Sequence, residues 1–107
     1  PEEDRCEVYI AAMGDKAQVK ALELVDRLHR CGIIADCDIC GRRLKAQMKY
    51  AGKIGAKFSM VLGEDELSSG SAVLKDMSSG ETRKVSIGED FVDGYLTFST
   101  AQEDLSF

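Results

Sequence analysis

A chain of 107 residues, 44% apolar and 31% charged, fits one globular domain able to bury a core without staples, and it excludes a disordered chain. No apolar run exceeds a few residues, which excludes a membrane-spanning helix. The net charge of −5 argues weakly against nucleic acid as a partner.

The chain opens on Pro1 without an initiator methionine, the expectation being a piece cut from a longer protein. PEEDRCEVYIAA has no basic region ahead of an apolar one, so no signal peptide is expected. Residues 6–12 read as a strand with Cys6, Val8, Ile10 and Ala12 on one face. Asp15 stands as an N-cap for a helix over residues 16–31, where Ala17, Ala21, Leu24, Val25, Leu28 and Cys31 share one side. Gly32 stops it. A second strand covers 33–39, Gly41 breaks it, and a second helix runs over 42–54 to Gly55. Residues 57–62 form a third strand closed by Gly63. Strand, helix, strand, helix, strand predicts parallel strands with right-handed crossovers.

The rhythm then changes. Strands over 71–77 and 82–87, joined by Ser78-Ser79-Gly80, read as an antiparallel hairpin. Gly88-Glu89-Asp90 opens a last helix through Phe91, Val92, Tyr95 and Leu96, with Gly94 counting against it. Residues 91–107 read as either a helix or a tail. There is no repeat, no linker and no low-complexity tract, so residues 1–107 form a single domain.

Four cysteines sit at 6, 31, 37 and 40, irregularly spaced, and an intracellular protein with free thiols is the expectation. Cys37-x-x-Cys40 invites a metal or redox reading. Zinc wants four ligands, usually two such pairs, and only Cys6, Cys31 and the single His29 are spare. On an extended strand, side chains three apart face opposite ways, which would set Cys37 with Ile33, Ala35 and Ile39 and turn Cys40 away. No metal site and no catalytic residue is expected, and His29 reads as a surface or helix-end histidine.

Charge is uneven along the chain. Arg42, Arg43, Lys45, Lys49, Lys53 and Lys57 face only Asp36 and Asp38 between residues 36 and 60, whereas the segment from Glu64 onward is strongly acidic. On the second helix Leu44, Met48, Ala51 and Gly55 lie together, with Gln47 and Ile54 on the flank. Arg42, Lys45, Lys49 and Lys53 form a separate stripe. This stripe is either a plain solvated face or a surface that meets phosphates, and the helix N-terminus after Gly41 adds N–H groups suited to an anion. The segment GEDELSSG at 63–70 reads as a capped turn; its alternative is a carboxylate accepting from base amino groups. In that reading Glu66 and Lys75 stand side by side as acceptor and donor.

The run GRRLKAQMKYAGKIGAKFSMVLGEDELSSGSAVLKDMSSGE, with VDRLHRCGIIADCD before it, resembles the C-terminal anticodon-binding domain of histidyl-tRNA synthetase. The resemblance covers about residues 6–90. It implies a three-layer α/β/α fold with a five-stranded mixed sheet, order 2-1-3-4-5, strand 4 antiparallel, flanked by about three helices. It also implies a role: binding the anticodon loop of histidine tRNA for a separate catalytic domain of a cytoplasmic, homodimeric parent enzyme. Carried over by position, Glu66 and Lys75 contact anticodon bases, while Gly41, Arg42, Lys45 and Lys49 lie near the loop and backbone. ATP and magnesium belong to the parent; this domain carries no cofactor and lacks the adenylation signatures, so it is not catalytic by itself. Two other readings stand beside this one. One is a synthetase-like tRNA-sensing or dimerisation domain of a regulatory protein such as a translation-control kinase. The other is a small enzyme or metal protein built on Cys37 and Cys40.

Overall fold

The computed structural model describes residues 6–105. Along the chain run β1 (Val8–Ala12), α1 (Asp15–Arg30), β2 (Ala35–Cys37), α2 (Leu44–Lys53), β3 (Phe58–Leu62), α3 (Glu64–Ser69), β4 (Ser71–Asp76), β5 (Thr82–Ser86) and α4 (Phe91–Leu105). The strands form one sheet in the order β2-β1-β3-β4-β5. β1 pairs in parallel with β2 and β3, whereas β4 runs antiparallel to both β3 and β5. This is the predicted α/β architecture, with a fourth, short helix added.

Alternation along the central strands feeds two apolar layers. Val8, Ile10 and Ala12 of β1 and Phe58, Met60 and Leu62 of β3 enter the larger one. α1 contributes Ala17, Ala21, Leu24, Val25 and Leu28 there, and α4 contributes Phe91, Tyr95 and Phe98. Phe58 meets the rings of Tyr95 and Phe98 edge-on, with centroids 5.5 and 5.8 Å away. Each of these large side chains contributes about 1.5–3 kcal/mol by leaving water. Tyr9 and Ala11 point the other way and meet α2 through Ala51, with Ala56 just beyond the helix.

Several boundaries differ from expectation for local physical reasons. β2 is three residues long, because Asp38 turns its carboxylate back onto the Arg42 backbone N–H at 2.8 Å and pulls the chain out of the ladder. Ile39, placed on the buried face by simple alternation, is 74% exposed. Asp15 lies in the first turn of α1, and Gly14 is at the N-cap position with φ 96°. The capped turn at 63–70 winds into α3, closed by Gly70 at φ 75°. Residues 91–105, ambiguous from sequence, form α4. Helix continues through Gly94 because the burial of Phe91, Tyr95 and Phe98 on either side of it outweighs its low propensity.

Candidate nucleic-acid interface

The parallel strands β1, β2 and β3 all end at one edge of the sheet, so the segments leading into α1, α2 and α3 gather there. Ligands in open α/β sheets bind at this edge. Gly41 and Arg42 lie in the β2–α2 segment, and Glu66 lies in the first turn of α3. Gly41 has φ 71°, a left-handed conformation that favours glycine.

Arg42 is held at its backbone N–H, its carbonyl and its Nε–H. Its backbone N–H donates to Asp38 Oδ2 at 2.8 Å, and its Nε–H donates to Asp38 Oδ1 at 2.8 Å. Its carbonyl accepts from Gln47 Nε2 at 2.5 Å. Its guanidinium carbon lies 4.8 Å from the centroid of the Tyr50 ring, which in turn meets Tyr9 edge-on at 5.7 Å. Asp38 is buried and the Arg42 side chain is 40% exposed. Burial pushes the Asp38 carboxyl up, but the hydrogen bonds from Arg42 outweigh it and hold the group below the usual aspartate range. The same contact holds the Arg42 guanidinium above its ordinary value.

Gln47, expected on a flank, is fully buried. Besides Arg42 it bonds both backbone groups of Ala12, accepting from the N–H and donating to the carbonyl, each at 2.8 Å. It therefore stitches the start of α2 to the end of β1. A buried amide satisfied in this way resists displacement, since losing a partner would strand polar atoms away from water.

Lys45, Lys49 and Lys53 are exposed on α2, opposite the Leu44, Met48 and Ala51 side that packs on the sheet. None of them is in an ion pair among the described residues. Arg42 departs from the predicted stripe, since its charge is already shared with Asp38. The first turn of α2 has no side-chain cap.

α2 covers only part of its side of the sheet. Ala72 and Leu74 of β4 enter the larger core, so Ser71, Val73 and Lys75 face the α2 side. Their cross-strand partners are Ser86, Lys84 and Thr82. Val73 is 49% exposed there, and Lys75, Thr82 and Lys84 are exposed too. The result is an uncovered strip of sheet with two lysines around one apolar side chain, beside a helix carrying three more.

Glu66 and Lys75 are not side by side. Lys75 pairs with Ser59, whereas Glu66 lies beyond Leu62. The two levels are about 10 Å apart along the strand at about 3.3 Å per residue. Glu66 also accepts the Gly63 N–H at 2.7 Å, capping its own helix. Gly41, Arg42, Lys45 and Lys49 do share one continuous segment.

Sequence reasoning missed Asp38, Gln47, Tyr50 and Lys84. The spacing of four between Asp38 and Arg42 is a visible signal; Lys84 needs the hairpin register. His29 Nε2 donates to the Ala35 carbonyl at 2.8 Å, tying the end of α1 to β2. All four cysteines are unbridged; Cys37 is buried, and Cys40 and Cys31 are exposed. Among the described residues no group of three or more His, Cys, Asp or Glu side chains could hold a metal ion, and no helix is long and apolar enough to cross a membrane.

Residues 7–93 match the family model described as the anticodon binding domain. A histidine–tRNA ligase of Acetivibrio thermocellus is 49% identical over 87 residues, which are 81% of this chain and 21% of that protein. The crystal structure of apo S. aureus histidyl-tRNA synthetase superposes with a TM-score of 0.78 at 35% identity, covering 86% of this chain and 24% of that one. The RNA binding domain of threonyl-tRNA synthetase from Cryptosporidium parvum superposes at 0.72 with 12% identity, covering 85% and 23%, a likeness of fold alone. The chain spans about a fifth of the length of the curated relatives it matches.

Proposed function

Because this chain belongs to the anticodon-binding domain family, we propose that it is the tRNA-reading module of a histidine–tRNA ligase. It holds the anticodon loop of histidine tRNA while a separate catalytic domain of the same protein charges that tRNA with histidine. ATP and magnesium serve that catalytic domain, and the parent works as a homodimer in the cytoplasm.

The observation that carries this reading is the uncovered strip of sheet beside α2. Val73 offers an apolar platform for an unstacked base, and Lys75 and Lys84 offer donors beside it. Single-stranded RNA is read by stacking splayed bases and bonding their edges, which needs an open surface rather than a deep pocket. The unpaired lysines of α2 supply charge for phosphates alongside. Glu66, with one oxygen capping α3, keeps the other for a base amino group at the adjoining edge.

The test separates RNA reading from amino-acid activation. In the full-length protein, Lys75→Ala should lower tRNA charging by about ten- to hundredfold, the range for losing one base contact. ATP–pyrophosphate exchange, which needs no anticodon, should stay within twofold of wild type (about 0.4 kcal/mol or less). Equal loss in both assays would remove Lys75 from the interface.

A further inference from the structure

Arg42 has a coordination pattern that a plain solvated arginine lacks. Its N–H and Nε–H both go to the buried carboxylate of Asp38, its carbonyl is held by Gln47, and its guanidinium carbon lies over the Tyr50 ring. Only the terminal nitrogens Nη1 and Nη2 have no hydrogen bond among the described residues. They form the planar fork that takes a pair of acceptor atoms.

We propose that Asp38 is a positioning residue for RNA recognition: it fixes Arg42 in advance so that its fork meets two acceptor atoms of the bound loop. The proposal rests on the tRNA-binding reading above and deepens it. Asp38 itself is buried and touches no ligand. Its work is done through Arg42. An unheld arginine must freeze its long side chain on binding, and that ordering weakens association. A carboxylate that already spans the backbone N–H and Nε of the same residue has ordered it during folding. Asp38 also shares out part of the guanidinium charge, so a second anion must approach from the far side, where Nη1 and Nη2 point. Two acceptor pairs have suitable chemistry, a phosphate and the O6/N7 edge of guanine.

The experiment is a double-mutant cycle in the full-length protein, read as KM for tRNA and kcat for charging, with ATP–pyrophosphate exchange as the control. Arg42→Ala should raise KM about ten- to hundredfold at unchanged exchange activity. Asp38→Asn should raise it about three- to tenfold, with kcat unchanged. The double variant should match Arg42→Ala, because nothing is left to position. Additive losses would mean that Asp38 acts on the fold at large and would overturn the proposal. So would an Asp38→Asn variant with wild-type KM where Arg42→Ala is impaired. Failure of the wild-type protein to charge tRNA would instead overturn the functional reading, and this inference with it.

A second measurement stands if Asp38→Asn does not fold. In the wild-type protein without RNA, the Arg42 Nε–H should give a resolved, slowly exchanging NMR signal. A signal averaged with those of exposed arginines would overturn the inference. The acceptor is assigned by two further arms. A guanine edge predicts that the Arg42→Ala effect disappears on tRNA with that guanine replaced. A phosphate predicts an equal loss on every sequence and a salt dependence shallower by about one unit.

Discussion

On one side of the sheet α1 and α4 enclose Leu24, Leu28, Phe91 and Tyr95 so completely that each is 0% exposed. On the other, α2 alone packs on the sheet, and Val73 remains 49% exposed between two lysines. The two tyrosines of these layers sharpen the contrast. Tyr95 donates its hydroxyl to the Glu7 carboxylate, and burial together with that carboxylate pushes its pKa far up. Tyr9 is equally buried, yet its hydroxyl has no partner among the described residues. Burial and then Asp38 push its pKa up to about 12. The closed side satisfies what it buries. The α2 side leaves the Tyr9 hydroxyl unmet and the strip around Val73 uncovered, as the proposed recognition surface would.

The strongest way to break this division is to empty the closed side. Leu24→Ala should cost about 2–5 kcal/mol, the range for a fully buried leucine. Urea denaturation measures it, and a cost under about 1 kcal/mol would mean that α1 is not the main support. The tyrosine pair comes next. Tyr95→Phe should cost about 1–3 kcal/mol, because it leaves the Glu7 carboxylate without its donor. Tyr9→Phe should cost nothing and raise stability slightly, since it removes a buried hydroxyl with no partner among the described residues. Equal losses at both positions would erase the contrast.

Gly94→Ala tests a finer point on the closed side. A Cβ there would be 3.5 Å from Val85, an ordinary contact, so alanine should fit and gain about 0.5–1 kcal/mol from helix propensity. A loss would show α4 pressed closer to β5 than that distance allows. The smallest effect on stability belongs to the open strip. Lys84→Ala should change stability by no more than about 0.5 kcal/mol while weakening tRNA charging several-fold, about 1 kcal/mol of binding. A destabilising Lys84→Ala would make the strip part of the fold rather than part of the interface.

Acid should act on the α2 side through Asp38. Its folded carboxyl lies below the ordinary aspartate value, so the unfolded chain takes up the proton first as pH falls. The stability contributed by the Asp38–Arg42 contact is therefore complete above the ordinary aspartate range and is lost as pH drops below it. Asp38→Asn should flatten that limb of the pH–stability curve, and an unchanged limb would assign the acid response to other carboxylates.

Much of this fold was legible in the residues. Apolar spacing in 16–31 predicted α1 to within a residue at each end, because a sixteen-residue amphipathic helix repeats its signal over several turns. The parallel units and the hairpin followed from glycine stops and strand rhythm. The short elements were harder. β2 keeps three residues, since the Asp38 carboxylate competes with the ladder for the chain. α3 is six residues long, too brief for periodicity to register. At the candidate interface the basic segment 41–49 was readable as a patch of charge. The separation of Glu66 from Lys75 was not, because it depends on the register of β3 against β4.

The sequence by itself determined the order of elements, their amphipathic faces and the uneven charge, since each is a property of neighbours along the chain. Only the tertiary structure decided which side of the sheet is left open, that Gln47 is buried against Ala12, and that Asp38 holds Arg42 at both its backbone and its side chain. These depend on strand register and on where a helix comes to rest. Packing between distant segments sets both, and no local pattern records it.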